Sequence, residues 1–527
     1  MSVDNVTNLE EIRKKVAART DEEEKFGSDD GGPSGISSEF VIQCLRSNEV
    51  GDGALFATVH DGKYVYNKQM KEWLKWMGHH WKLDDLDEVE DSVEDVVDKY
   101  METYAELYER IREANDAGDE ETVKRNEKLR DMILKRVNKL HSDNGRTKCL
   151  KCAHTNRIAS ARIQGQELDS EPWLLPCTNG VLDLRSGELR GGRPEDYLTK
   201  ASPVEWQGID APRERWDQFI LEIMDGDQEM ADYLRRLFGC SIVGKVTEHV
   251  FAVFHGVGRN GKSLMVDTIT EVLGELANPI PAEMLLDQGN ARSSAGPSPD
   301  IMALRGQRLA FASETDEGRK FSPSRVKWFS GGDKLTGRNG YDKRMITFTP
   351  SHMLFLLTNH KPHAPADDFA FWERLQLVPF ELSFVDRKPR APNERPMDKE
   401  LGDKLKKELS GILAWLAQGC LEWQEQGLNP PAKILEATAE YRRDEDLLEE
   451  FLDDCCALDE EERIQATDLY DVFCWWFSRN ISKKKNIAQK TFGKLAGKRF
   501  EKKKIGTYWY LGVRVLDEIR DEIQRGH

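Results

Sequence analysis

Apolar positions along the chain follow two rhythms. From 84 to 140, Val89, Val93, Val96, Val97, Tyr100, Tyr104, Leu107 and Ile111 recur every three or four residues, which predicts helices with a charged outer face. Elsewhere the apolar residues come in short unbroken runs. His249-Val-Phe-Ala-Val-Phe254, Leu309-Ala-Phe-Ala-Ser313, Met353-Leu-Phe-Leu-Leu357 and Leu375-Gln-Leu-Val-Pro-Phe380 read as buried strands. Helical patterns lie at 216–238, 264–273 and 398–445. The stretch 446–519 predicts helices followed by a hairpin around Thr507-Tyr-Trp-Tyr-Leu-Gly-Val-Arg-Val515. Gly53-Ala-Leu-Phe-Ala-Thr-Val-His-Asp-Gly-Lys-Tyr-Val-Tyr66 predicts a strand pair. Residues 178–189 predict a hairpin with glycine at both turns. Residues 1 to about 38 are charged and then Gly/Ser-rich, as in a disordered arm. No repeat or coiled coil emerges.

Composition narrows the class. The chain has 527 residues, 39% hydrophobic and 32% charged, with a mean hydropathy of −0.63. That excludes an integral membrane protein and implies several domains. There is no apolar leader at 1–15, and the nine cysteines are unevenly spaced, so the expectation is a reduced, cytoplasmic protein. The net charge of −18 disfavours nucleic acid as a partner only if no local patch reverses it.

The run 249–254 leads into Gly256-Val-Gly-Arg-Asn-Gly261-Lys262-Ser263 and then a helical pattern beginning at Leu264. This is a phosphate-binding loop between a strand and a helix. Its glycines let backbone N–H groups turn toward phosphate oxygens, and the helix start adds a positive dipole end. Gly256, Val257, Gly258, Arg259, Asn260, Gly261, Lys262, Ser263 and Leu264 are the expected nucleotide-binding residues. Lys262 bridges the β- and γ-phosphates of ATP, and Ser263 holds Mg²⁺. The strand 309–313 delivers Glu314 to the metal and the attacking water, or else ends in a surface turn at Glu314-Thr315-Asp316-Glu317. Asn359, ending the next strand, suits a γ-phosphate sensor, or simply a turn. Arg374, before the last strand, suits a phosphate of a neighbouring subunit, or a structural ion pair.

Together with Lys327-Trp-Phe-Ser-Gly-Gly-Asp333 and Phe371-Trp-Glu-Arg-Leu375, these segments resemble superfamily III helicases. They are most similar to the helicase part of the phage/plasmid primase–helicase family, which poxvirus primase-helicases also resemble. Asn179-Gly-Val-Leu-Asp-Leu-Arg-Ser-Gly-Glu188 is similar to that family's N-terminal helicase-associated domain. The segment from Phe451-Leu-Asp-Asp-Cys455 to Tyr508-Trp-Tyr-Leu-Gly512 resembles its winged-helix-like module. The resemblance implies a multidomain α/β chain with an AAA+-like P-loop ATPase core. It divides the chain into a disordered arm (1–45), an α-rich helicase-associated domain (46–210), the core (211–390), a helical segment (391–445) and a winged-helix-like DNA-binding module (446–527). It also implies a hexameric ring in which ATP lies between subunits. Lys262, Glu314, Asn359 and Arg374 are then catalytic, with Ser263 and Glu314 as metal ligands and Arg374 acting in trans. Two positions depart from the family pattern. Thr315 stands where many members have a second acidic residue, which leaves any metal role of Asp316 open, and Glu373 stands where Arg is common.

Residues 333–348 form two extended runs around an Asn-Gly tip. Arg338, Tyr341, Lys343 and Arg344 there suit a single DNA strand. From Lys483 to Lys504 ten Lys/Arg stand against Glu501, a local reversal of charge that suits DNA-backbone contact or a solvated helix face. Cys149, Cys152, His154 and Cys177 lack the second ligand pair of a standard zinc site. No paired-aspartate primase motif is evident, and a separate primase is the expected partner. The leading expectation is an ATP-dependent replicative helicase acting on single-stranded DNA and forks. The alternatives are an ATPase that loads or remodels DNA, and a regulatory NTPase ring with a protein partner.

Overall fold

A computed structural model describes residues 35–156, 161–289, 296–313, 318–340, 344–480 and 488–525. At its centre is a five-stranded sheet: β1 (Phe251–His255), β2 (Ala277–Pro279), β3 (Leu309–Ser313), β4 (Met353–Thr358) and β5 (Leu375–Pro379). The order across the sheet is β5-β1-β4-β3-β2, and every pair is parallel. Apolar runs form β1, β3, β4 and β5 because both faces of the sheet are covered there, while β2 is a short, largely exposed edge strand. Ala252, Phe254, Phe311, Phe355, Leu357 and Val378 pack on one face, against the helices Glu214–Ile223, Gln228–Ser241, Lys262–Leu273 and Leu409–Gln426. Phe251, Val253, Ala310, Leu354, Leu356 and Leu377 pack on the other, toward Val326, Phe371 and Tyr441.

The helical pattern 216–238 is two helices. Asp225 and Gly226 both take positive φ, and Asp227 caps the second helix by accepting from Met230 N–H. That helix crosses Leu409–Gln426 closely enough that a Cβ on Gly239 would lie 2.1 Å from the Gly419 carbonyl carbon.

Ahead of the sheet, the helices Ser38–Arg46, Asn48–Val59, Val93–Asp116, Glu120–Leu140 and Asp143–Thr155 bury a core that includes Phe56, Tyr100, Ile133 and Cys149. The arm expected over 1–45 therefore gives way to structure by Ser38, while residues 1–34 lie outside the described residues. The strand pair expected over 53–66 is corrected too: Gly53 to Val59 is helical, and only Tyr64–Asn67 is a strand. Gly51 and Gly53 explain the difference. Each sits with backbone of another helix where its Cβ would be, Gly51 on Cys44 and Gly53 on Cys152 and Ala153. Close helix packing overrides a locally strand-like sequence.

The hairpin expected at 178–189 is present, as Leu174–Cys177, Gly180–Asp183 and Glu188–Arg190 in antiparallel register. Arg308, fully buried at the entrance to β3, donates to the carbonyls of Pro172, Leu174 and Ile242 and so ties this unit to the sheet.

The C-terminal unit has its own core around Phe451, Phe473, Trp476, Phe492 and Tyr510. Its three-stranded antiparallel sheet has the order Cys456–Gln465, Thr507–Val515, Lys502–Ile505. A hairpin is present, but it turns at Gly506: Thr507–Val515, where the hairpin is expected, is one continuous strand that pairs back onto Lys502–Ile505. The strand Cys456–Gln465 is unexpected, because Asp459, Glu460, Glu461 and Glu462 hide it from any apolar pattern. Among the described residues no helix is long and apolar enough to cross a membrane.

Candidate nucleotide site

The site is built at the carboxyl end of β1, where the chain order of neighbouring strands reverses, the position at which open parallel sheets bind ligands. β1 ends at His255, opposite Thr358 of β4 and Pro379 of β5. Gly256 follows with its N–H donating to Thr358 O at 3.3 Å. A Cβ on Gly256 would lie 2.1 Å from Phe380 O, so only glycine fits. Arg259 and Gly261 take φ of +65° and +86°, which curl the loop back to the helix Lys262–Leu273. Asn260 is buried and braces the loop, with Nδ2 donating to Phe380 O and Oδ1 accepting from Lys262 N–H. Val257, Gly258 and Arg259 face solvent at the crest, and Val257 is 81% exposed. Ser263 is exposed and Leu264 half-buried on the first helical turn.

Lys262 is buried. Its ammonium donates to Gly256 O and, at 3.4 Å, to Asn359 Oδ1. Burial pushes its pKa down to about 8. Two groups absent from the sequence expectation join them. His255 is held near a pKa of about 4, first by burial and then by Lys361 and Lys262, so its imidazole is neutral. Lys361 stands two residues past Asn359 and pairs with Asp444 at 3.5 Å. Lys361 lies in the segment Leu357-Thr-Asn-His-Lys-Pro362 and His255 just before the glycine-rich loop, but neither carries an expected role; the register of β1 against β4 brings them to the site.

β3 ends at Ser313, paired with Leu357. Glu314, Thr315, Asp316 and Glu317 lie outside the described residues.

Arg374 is at the other end of the sheet. Its carbonyl accepts from Phe251 N–H at 2.7 Å, at the amino end of β1, while the loop leaves the carboxyl end. Five strand residues separate it from its own loop, roughly 16 Å at about 3.3 Å each. Its Nη1 donates to Ala370 O, and its Nε is buried without a hydrogen-bond partner among the described residues.

The hairpin expected at 333–348 is present. Leu335–Gly337 pairs antiparallel with Ile346–Phe348, and the Thr336 and Thr347 hydroxyls are 2.9 Å apart. Arg338 is anchored through its backbone to Ser298, and Arg344 is exposed. Tyr341 and Lys343 lie outside the described residues.

Among the cysteine and histidine candidates, Cys149 and Cys177 are buried in apolar cores, and Cys152 packs against Gly53. His154 stacks on Tyr66 at 3.8 Å with Lys68 Nζ 2.8 Å from its Nδ1.

Comparison with known proteins agrees with the resemblance. A family model described as "D5 N terminal like" matches residues 53–225. "Putative helicase L207/L206" of Acanthamoeba polyphaga mimivirus is 29% identical over 332 residues, covering 60% of this chain and 34% of that protein. "Putative helicase 022R" of Frog virus 3 is 25% identical over 389 residues, covering 60% of this chain and 40% of that protein. "Putative helicase 184R" of Invertebrate iridescent virus 6 is 26% identical over 365 residues, with 62% and 37% covered. The chain thus spans about a third to two fifths of the curated relatives it matches. A solved structure of the apo NrS-1 C-terminal region is similar at 14% identity, covering 54% of this chain and 62% of that one with a TM-score of 0.34.

Proposed function

For a chain with a D5 N terminal like segment and viral helicase relatives, we propose an ATP-dependent replicative DNA helicase that works as a ring on single-stranded DNA. The observation that carries this reading is the meeting of Lys262 and Asn359. A cation at the start of the helix after β1 and an amide just past the end of the neighbouring strand β4 converge beside a loop whose first position admits only glycine. Lys262 neutralises the β- and γ-phosphates. Loop N–H groups beyond Gly256, whose own N–H is given to Thr358 O, hold their oxygens, and Asn359 orients the attacking water or the γ-phosphate. Ser263, with its side chain open to solvent, and Glu314 are the residues that would hold Mg²⁺, which neutralises phosphate charge when bound.

Arg374 supports the ring. It is too far from its own loop to serve it, which suits a finger offered to the next subunit's ATP. Head-to-tail contacts of this kind close into rings. The hairpin carrying Arg338, Tyr341, Lys343 and Arg344 engages the strand. The segments 46–210, 211–390 and 446–527 act as helicase-associated, motor and winged-helix-like DNA-binding modules, 391–445 is their helical link, and a separate primase supplies primers.

The test is ATP hydrolysis by wild type and Lys262→Ala, with and without single-stranded DNA. The reading requires hydrolysis that DNA stimulates and that Lys262→Ala abolishes. Hydrolysis indifferent to DNA would instead favour a regulatory NTPase.

A further inference from the structure

The C-terminal unit contains a cleft of about 510 Å³ between the helix Gln489–Arg499 and the hairpin formed by Lys502–Ile505 and Thr507–Val515. Thr467, Gln489, Lys490, Lys502, Tyr508 and Tyr510 line it. One wall is fixed, because Tyr510 is buried and its hydroxyl donates to Gly493 O at 3.3 Å. The other is open, because Tyr508 is 51% exposed. In the hairpin register Lys502 faces Tyr510 and Lys504 faces Tyr508. Lys502 Nζ lies 4.6 Å from the Tyr508 ring centre and 5.6 Å from that of Tyr510, and Lys504 Nζ lies 5.9 Å from Tyr508. Lys490, Lys502 and Lys504 have no carboxylate partner among the described residues, in a chain of net charge −18.

We propose that this cleft captures one unpaired nucleotide of a single DNA strand. Its base stacks on Tyr508, and the flanking phosphates lie on Lys490 and Lys502. The proposal rests on the helicase reading and specifies the form of DNA that the C-terminal unit takes. Lysines on an edge strand also guard it against edge pairing, but that role needs no open aromatic ring beneath them. A concavity of this size admits a splayed base, whereas paired bases in a duplex are stacked and out of reach. Aromatic faces flanked by cations hold single strands with little regard to sequence.

The experiment uses the full chain and a fluorescent dT20, with a 20-base-pair duplex and an abasic strand as controls. Tyr508→Ala should weaken dT20 binding by roughly 5- to 100-fold, the range for losing one stacked base. It should leave duplex and abasic binding unchanged, and Tyr508→Phe should bind as wild type does. Lys490→Ala with Lys502→Ala should lower the slope of log affinity against log salt by about 1.4. A strand carrying 5-iodouracil should cross-link to Tyr508 in wild type. Unchanged dT20 affinity in Tyr508→Ala, with cross-links confined to other segments, would overturn the proposal. If dT20 still stimulates ATP hydrolysis in that case, the helicase reading stands and only the cleft falls. If wild type neither binds dT20 nor responds to it, both fall.

Discussion

The Lys262 ammonium reaches Asn359 Oδ1 at 3.4 Å, joining the helix after β1 to the end of β4. In the proposed reading Lys262 binds phosphate whether or not reaction follows, whereas the role of Asn359 is realised in hydrolysis. Asn359→Ala should therefore lower kcat by about 10²-fold or more and change KM for ATP little. Steady-state kinetics checks this, and a rise in KM with kcat intact would assign Asn359 to binding alone.

The Lys262 pKa of about 8 sets a pH dependence. Burial disfavours its charged form, so the proton is lost as pH rises through about 8, well below the usual lysine range. ATP phosphates favour the charged form. Nucleotide affinity should hold below pH 8 and fall above it, with proton uptake on binding near pH 8 to 9. Calorimetric titration in two buffers of different ionisation enthalpy reads that uptake directly.

Arg374 lies at the far end of the sheet from its own loop, so its loss should be complemented between subunits. Arg374→Ala alone should lose roughly 10³-fold or more in hydrolysis, the scale of an arginine finger. Mixing it with Lys262→Ala should restore activity, because some interfaces then pair an intact Lys262 with an intact Arg374. Mixtures no more active than their parts would place Arg374 in a structural role.

In the N-terminal helical core Asp52 accepts from Tyr100 OH at 2.8 Å and from Arg136 Nη1 at 3.1 Å, with both charged side chains buried. Burial raises the Asp52 pKa to about 6 despite Arg136. Arg136→Met leaves a buried carboxylate without its cation and should cost about 3–5 kcal/mol. Thermal unfolding should show the loss, and a second change, Asp52→Asn, should recover part of it.

Gly239→Ala places a methyl group 2.1 Å from the Gly419 carbonyl carbon and 2.2 Å from Cys420 N. Backbone cannot yield as a side-chain tip can, so the change should cost at least about 1–3 kcal/mol. Denaturant unfolding measures it, while Gly497→Ala, with open space at its Cβ inside the helix Gln489–Arg499, should be neutral or stabilising by up to about 1 kcal/mol.

How much of this was readable in the sequence depended on how local the signal is. The strands β1, β3, β4 and β5 announced themselves because a sheet covered on both faces needs unbroken apolar runs. The loop Gly256–Ser263 does so because its glycines are demanded within eight residues. The helix Asn48–Val59 reads as strand because its glycines serve contacts with Cys44, Cys152 and Ala153, which a local window does not contain. Cys456–Gln465 was hidden by its own charges. His255 and Lys361 reach the site through strand register, and no sequence spacing encodes that. Asn359 and Arg374 were named from their strand ends, but their placement at opposite ends of the sheet came only with the parallel pairing of β5, β1 and β4. Glu314, Tyr341 and Lys343 keep only their sequence-based assignments.

The most direct test of the central claim is unwinding of a forked DNA substrate by wild type and Lys262→Ala in the presence of ATP and Mg²⁺. The account predicts strand separation by wild type that needs hydrolysable ATP and vanishes in Lys262→Ala. Absence of unwinding by a wild-type ring that hydrolyses ATP, or unwinding that survives Lys262→Ala, would contradict it.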